Sequence, residues 1–210
     1  MTREEQRYLR ERKKPFAQAC RQVGRAWGWK TIAGQQYRAA GDVLYMLYLS
    51  LSSAGGGRAA SAWLSCKPLA LDELYWEIFH MEEQASAMPF SFRVNGAFTA
   101  PVLTLDRWRG DLPEGELEPA VEELFRAAEE KCVPFPDIPA FRSAVTGVRG
   151  QELNEILCLL LEQRYGEAME RIEEELSAGG NGGFARATDT GCVSILEDAR
   201  DWCAARMEER

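Results

Sequence analysis

The chain has 210 residues and a formal charge of −8, with 46% hydrophobic and 28% charged residues, a balance that excludes wholesale disorder. A core of useful size can form at this length without disulfides or metal. The longest apolar run, Val43 to Leu49, falls far short of the ~18 residues of a membrane span, and the amino terminus MTREEQRYLRERKK lacks the apolar stretch of a secretory signal.

Thr2 and Glu5 have capping-box spacing and predict a helix through Lys14, which Pro15 kinks or restarts. Phe16, Cys20, Val23 and Trp27 continue as one amphipathic stripe until Gly28. Gln35 to Ala39, Val43 to Ser52 and Ala59 to Cys66 read as three strands of an antiparallel meander, joined at Gly41-Asp42 and by a flexible turn at Ser53 to Arg58. Asp72 is placed to cap a short helix from Glu73 to Met81. Ser91 to Val94 alternates as a strand does, Asn95-Gly96 is a turn dipeptide, and Val102 to Leu105 extends the sheet to about four or five strands. After Leu112 the pattern is helical to the end. Leu117 to Cys132, Phe141 to Val145, Leu153 to Leu161, Ala168 to Leu176 and Cys192 to Cys203 are the apolar faces, broken by Pro134, Pro136, Pro139 and the loop Gly179 to Gly183. The expected fold class is α+β. Residues 1–112 form an antiparallel sheet domain packed by the N-terminal helix, and residues 113–210 form a helical subdomain.

The chemistry is narrow. Cys20, Cys66, Cys132, Cys158, Cys192 and Cys203 have no neighbour within ten residues, so no C-x-x-C pair exists for zinc or thiol exchange, and free thiols in a reducing cytoplasm are expected. His80 is the single histidine; with Glu77 it has the spacing of a carboxylate–histidine metal pair, but no second pair accompanies it. No metal and no cofactor are therefore expected. A nucleophile among Ser61, Ser65 and Ser91 would need an orienting geometry that spacing does not supply. The glycines at 55–57 and 179–183 lack the Lys-Ser/Thr of a phosphate loop. Leu160 to Leu176 is similar to one turn of a tetratricopeptide-type repeat, with no 34-residue period around it, and predicts an isolated helical hairpin.

Two clusters remain. Trp63, Trp76, His80 and Arg93 could line a binding cleft near the sheet, or could be separate core and edge residues. Arg3, Arg7, Arg10 and Lys14 fall at spacings of 4, 3 and 4, with Arg12, Lys13, Arg21 and Arg25 nearby; a helix would align the first four into an anion-binding face. Residues 1–40 carry ten Lys/Arg against three Glu, and residues 111–210 carry ten against twenty-three acids, so pairing between the two ends is the plainer use of this charge. The overall −8 disfavours nucleic acid as the partner.

At Gly41-Asp-Val-Leu-Tyr45, Asp72-Glu-Leu-Tyr-Trp-Glu-Ile78 and Ser91-Phe-Arg-Val-Asn-Gly-Ala97 the chain resembles a poorly characterised bacterial family of unknown function, over about residues 16–110. The resemblance implies a small α+β bacterial protein of the immunity or accessory kind, and brings no catalytic residue with it. The expectation is a non-enzymatic cytoplasmic interaction protein, immunity-like or regulatory, that binds a protein partner through a charged or aromatic face. The alternative is a small-molecule-binding or hydrolytic protein with its cleft between the sheet and the C-terminal helices.

Overall fold

The first helix opens as the capping box predicts. The Thr2 hydroxyl accepts from the Glu5 N–H at 3.2 Å, and the Glu5 carboxylate accepts from the Thr2 N–H at 2.6 Å. The computed structural model describes residues 2–52, 59–81, 90, 92–96, 98–112, 115–132, 135, 137–189 and 191–209. The expected turn at Ser53 to Arg58, together with Ser91, Ala97, Pro134 and Pro136, lies outside the described residues. The fold is α+β. Its chain divides into two units, Met1–Cys66 with Thr104–Pro134 and Lys67–Leu103 with Phe135–Arg210. The polypeptide passes between them at 66/67, 103/104 and 134/135, where one boundary at 112/113 was expected. Fifteen Lys/Arg against thirteen Asp/Glu leave the first unit at +2, and ten against twenty leave the second at −10.

In the first unit, α1 (Arg3–Ala26) runs through Pro15 as one helix. Pro15 is exposed, while Phe16, Ala19, Cys20 and Gly24 are buried and hold the helix in place across the missing N–H. The helix ends in a Schellman pair: Gly28, at φ +78°, donates to the Arg25 carbonyl, and Trp29 donates to that of Gly24. The expected meander is present and gains a strand on each side, β1 (Lys30–Ile32), β2 (Gln35–Ala40), β3 (Val43–Ser52), β4 (Ala59–Pro68) and β5 (Leu103–Asp111), in that spatial order. Strands β2 and β3 pair antiparallel from Ala40↔Val43 to Gln36↔Leu47. Their alternation puts Gln36, Arg38, Tyr45 and Leu47 on one face. That face meets α1 and α4 (Glu118–Lys131), whose Val121, Leu124, Phe125 and Ala128 are buried. Glu129 of α4 accepts from the Trp29 indole at 2.7 Å and from Arg38 at 2.8 Å, and Lys131 is ion-paired to Asp106 of β5.

The second unit begins with the end of β4 and continues through α2 (Leu69–Ile78), α3 (Phe92–Asn95), α5 (Ile138–Val145), α6 (Glu152–Leu161), α7 (Tyr165–Ser177), the hairpin β6 (Ala185–Thr188) with β7 (Gly191–Ser194), and α8 (Ile195–Glu208). Three expectations are corrected here. Asp72 caps nothing: α2 starts at Leu69 after Pro68, and the carboxylate turns inward to Lys67. The segment expected as a strand at Ser91 to Val94 is a helical turn where it is described, because the Arg93 guanidinium donates to the Leu69 carbonyl at 2.9 Å and draws the backbone against α2. The chain is not helical to its end. Residues 185–194 form a hairpin whose Arg186 grips Asp198 of α8 with two hydrogen bonds, 2.7 and 2.8 Å, and Cys192 lies exposed on β7 rather than on the last helix. Helix α8 starts at a second capping box, Ser194 with Glu197. Among the described residues no helix is long and apolar enough to cross a membrane.

Candidate functional site

On the first unit a groove of about 510 Å³ opens between the middle of α1, the β1–β2 turn and the end of β3. Helix periodicity accounts for its α1 wall. Leu9, Lys13, Phe16 and Cys20 form one stripe at spacings of 4, 3 and 4, and Arg10 and Arg21 flank it one residue on. Leu49 and Leu51 of β3 complete an apolar floor, and Tyr48, 49% exposed, stands at the lip. Among the described residues no Asp or Glu lines it. Among the described residues Arg10, Lys13 and Arg21 have no carboxylate within ion-pair distance, although α1 packs beside the acidic helix α4. This is the arrangement of a recognition groove, with apolar contact below and cations at the edge to fix an anion.

Of the four residues expected to form an anion-binding face, Arg10 lines this groove. Arg3, Arg7 and Lys14 are exposed on the same helix, with Arg7 3.8 Å from Glu11. Lys13 and Arg21 complete the rim. Both were visible as charge near the stripe, but their role depends on where β3 ends.

The four residues expected around a cleft are distributed as follows. Trp63, 40% exposed on β4, belongs to the first unit, where Arg107 stacks 3.8 Å above its ring and Thr104 accepts from its indole N–H at 3.1 Å. Trp76 and Arg93 meet in the second unit, with the guanidinium 4.8 Å from the ring centroid. Trp76 is buried and donates to the Phe98 carbonyl at 2.7 Å. His80 is exposed just past the end of α2, in the Schellman position: it donates to the Glu77 carbonyl, Met81 donates to that of Trp76, and its φ is +56°. An L-residue is strained there. His80→Gly is expected to raise stability by about 0.5–1 kcal/mol, read as a higher urea midpoint at unchanged slope.

Arg93 leads to a feature that spacing concealed. Lys67 and Asp72 are both fully buried and form an ion pair of 2.7 Å. The Lys67 ammonium also donates to the Ala100 carbonyl at 3.2 Å, and Asp72 accepts from the Ala100 N–H at 2.9 Å. Arg93 lies 3.7 Å from the second carboxylate oxygen. Burial pulls the Lys67 amine below its ordinary value and pushes the Asp72 carboxyl above its own, against the mutual attraction that favours the charged forms. Gln151 and Asn154 of α6 continue the polar seam by donating to the carbonyls of Val102 and Pro101. The cluster binds residues 100–102 to two helices. The signal in the sequence was Lys67 and Asp72 on either side of the apolar run Pro68 to Leu71.

Four of the six thiols are poor nucleophiles. Burial pushes Cys20, Cys66 and Cys158 up to about 12 and Cys132 to about 11, well away from the thiolate at neutral pH. Ser65 is buried and Ser61 half-buried, both on β4. Among the described residues no group of three or more His, Cys, Asp or Glu is placed to hold a metal ion. Comparison with family models, with curated proteins and with solved structures returns no match.

Proposed function

We propose that the protein is a non-enzymatic bacterial interaction protein, of immunity or regulatory type, that binds an acidic protein partner in the groove between α1 and the sheet. The observation that carries this reading is the rim: Arg10, Lys13 and Arg21 stand around an apolar floor with no acid among the described lining residues. Cations with no carboxylate partner among the described residues, at the edge of an apolar groove, favour an anionic ligand and steer its approach. Their location on the +2 unit, while the second unit carries −10, concentrates that attraction at one place.

The test compares proteins captured from a lysate of the protein's own cells by the wild-type chain, by Arg10→Glu/Lys13→Glu/Arg21→Glu, and by a control with charge reversed outside the groove, Arg3→Glu/Lys14→Glu. A partner is expected to fall at least tenfold with the groove variant, to persist with the control, and to weaken as salt rises from 50 to 300 mM. Identical capture by all three chains overturns the reading.

A further inference from the structure

We propose that the groove takes its partner as an added β-strand: an acidic, extended segment pairs with the tail of β3 that runs past the end of β2. This rests on the groove being the binding site and concerns the form in which the partner enters. Strand β3 runs to Ser52, but its pairing with β2 stops at Gln36↔Leu47, since β2 begins only at Gln35 after the turn through Ala33 and Gly34. Residues Leu49 to Ser52 therefore run past the end of β2. In an extended strand alternate residues direct both N–H and C=O to the same side, so two of these four offer backbone groups on the side where β2 has ended. The groove lies along this stretch, with Leu49, Ser50 and Leu51 among its lining.

The dimensions and charge select the occupant. Arg10 and Arg21 are eleven residues apart on one helix, about 16 Å at 1.5 Å per residue. About five residues of extended chain cover the same length at ~3.4 Å each. A segment of that length can pair with the β3 tail, place alternate apolar side chains over Leu49 and Leu51, and reach Arg10, Lys13 and Arg21 with its carboxylates. Strand addition supplies main-chain hydrogen bonds, and the cations supply selection for acid. A helix in the same groove would leave the β3 backbone groups unpaired.

A random dodecapeptide library displayed on phage is selected against the full-length chain. The selected sequences are expected to alternate apolar and acidic residues over about five positions, and to lose enrichment on Arg10→Glu/Lys13→Glu/Arg21→Glu, whose unchanged circular dichroism and Tm show that it folds. The strongest peptide is then made with alternate backbone nitrogens methylated, which removes strand hydrogen bonds and keeps every charge. Its Kd is expected to rise at least tenfold. Equal binding by the methylated peptide, or selected sequences with apolar residues at helical spacing, overturns strand addition and leaves the groove as the binding site. No enrichment, or enrichment indifferent to the groove substitutions, overturns both.

Discussion

Asp72→Ala is expected to destabilise the second unit by about 3–5 kcal/mol, the cost of leaving a buried charge without its partner. The substitution strands the Lys67 ammonium, which keeps only the Ala100 carbonyl, and frees the Ala100 N–H as well. Lys67→Met should cost less, because Asp72 retains the Ala100 N–H at 2.9 Å and Arg93 at 3.7 Å. The double change Lys67→Met/Asp72→Leu should recover at least half of the Asp72→Ala loss, since two apolar side chains of similar volume leave no charge to solvate. Amide hydrogen exchange in α2 and α6 reads all three. A loss below 1 kcal/mol for Asp72→Ala would mean that the pair is neutral in the folded chain. Arg93 adds a check: Arg93→Met is expected to widen the gap caused by Lys67→Met, because it removes the remaining cation near the carboxylate.

Phe125→Ala carries the second large effect, about 3–5 kcal/mol in the first unit, from lost burial and the cavity left behind. Phe125 is fully buried, meets the Trp29 ring edge-on at 6.0 Å, and touches the place where α1 comes closest to the sheet. A methyl group added at Gly24 would lie 2.9 Å from the Phe125 ring and 2.8 Å from the Gln36 side chain. Gly24→Ala alone is therefore expected to destabilise by about 1–3 kcal/mol, although alanine is the better helix former. On the Phe125→Ala background the ring is gone, so the cost of Gly24→Ala should fall by at least 1 kcal/mol, toward neutrality. Urea unfolding of the four chains closes the cycle. Simple additivity would show that Gln36, rather than Phe125, sets the approach of α1 to the sheet.

Much of the architecture was legible where a pattern is long or a cap is local. The Thr2–Glu5 box, the stripe through Phe16 and Cys20, and the apolar runs of Val43–Ser52 and Ala59–Cys66 each depend on neighbours a few residues away. The failures share a cause. Phe92, Arg93 and Val94 are too few to distinguish a period of 2 from one of 3.6, and the contact of Arg93 with Leu69 decided between them. Asp72 has the chemistry of an N-cap, but a lysine five residues earlier, at the end of a strand, claimed its carboxylate. The hairpin at 185–194 is short, and its Arg186 finds its partner on α8. For the groove, the cationic stripe was visible in the helix period. The floor was not, because it depends on β3 outlasting β2, a matter of register.

The two units draw on the chain in alternation, which sets an order of events on the ribosome. After Cys66 has been made, β5 and α4 are still missing from the first unit, and they arrive only once residue 134 has been added. At 5–20 residues per second that interval is about 3–14 seconds. Through it, Gly24 of α1 and the Trp29 ring wait for Phe125, which packs against both. A nascent chain halted at residue 112 would have its sheet but not the helix that closes it. One extended to residue 134 would have completed the first unit, with Lys67–Leu103 still waiting for the later helices of the second.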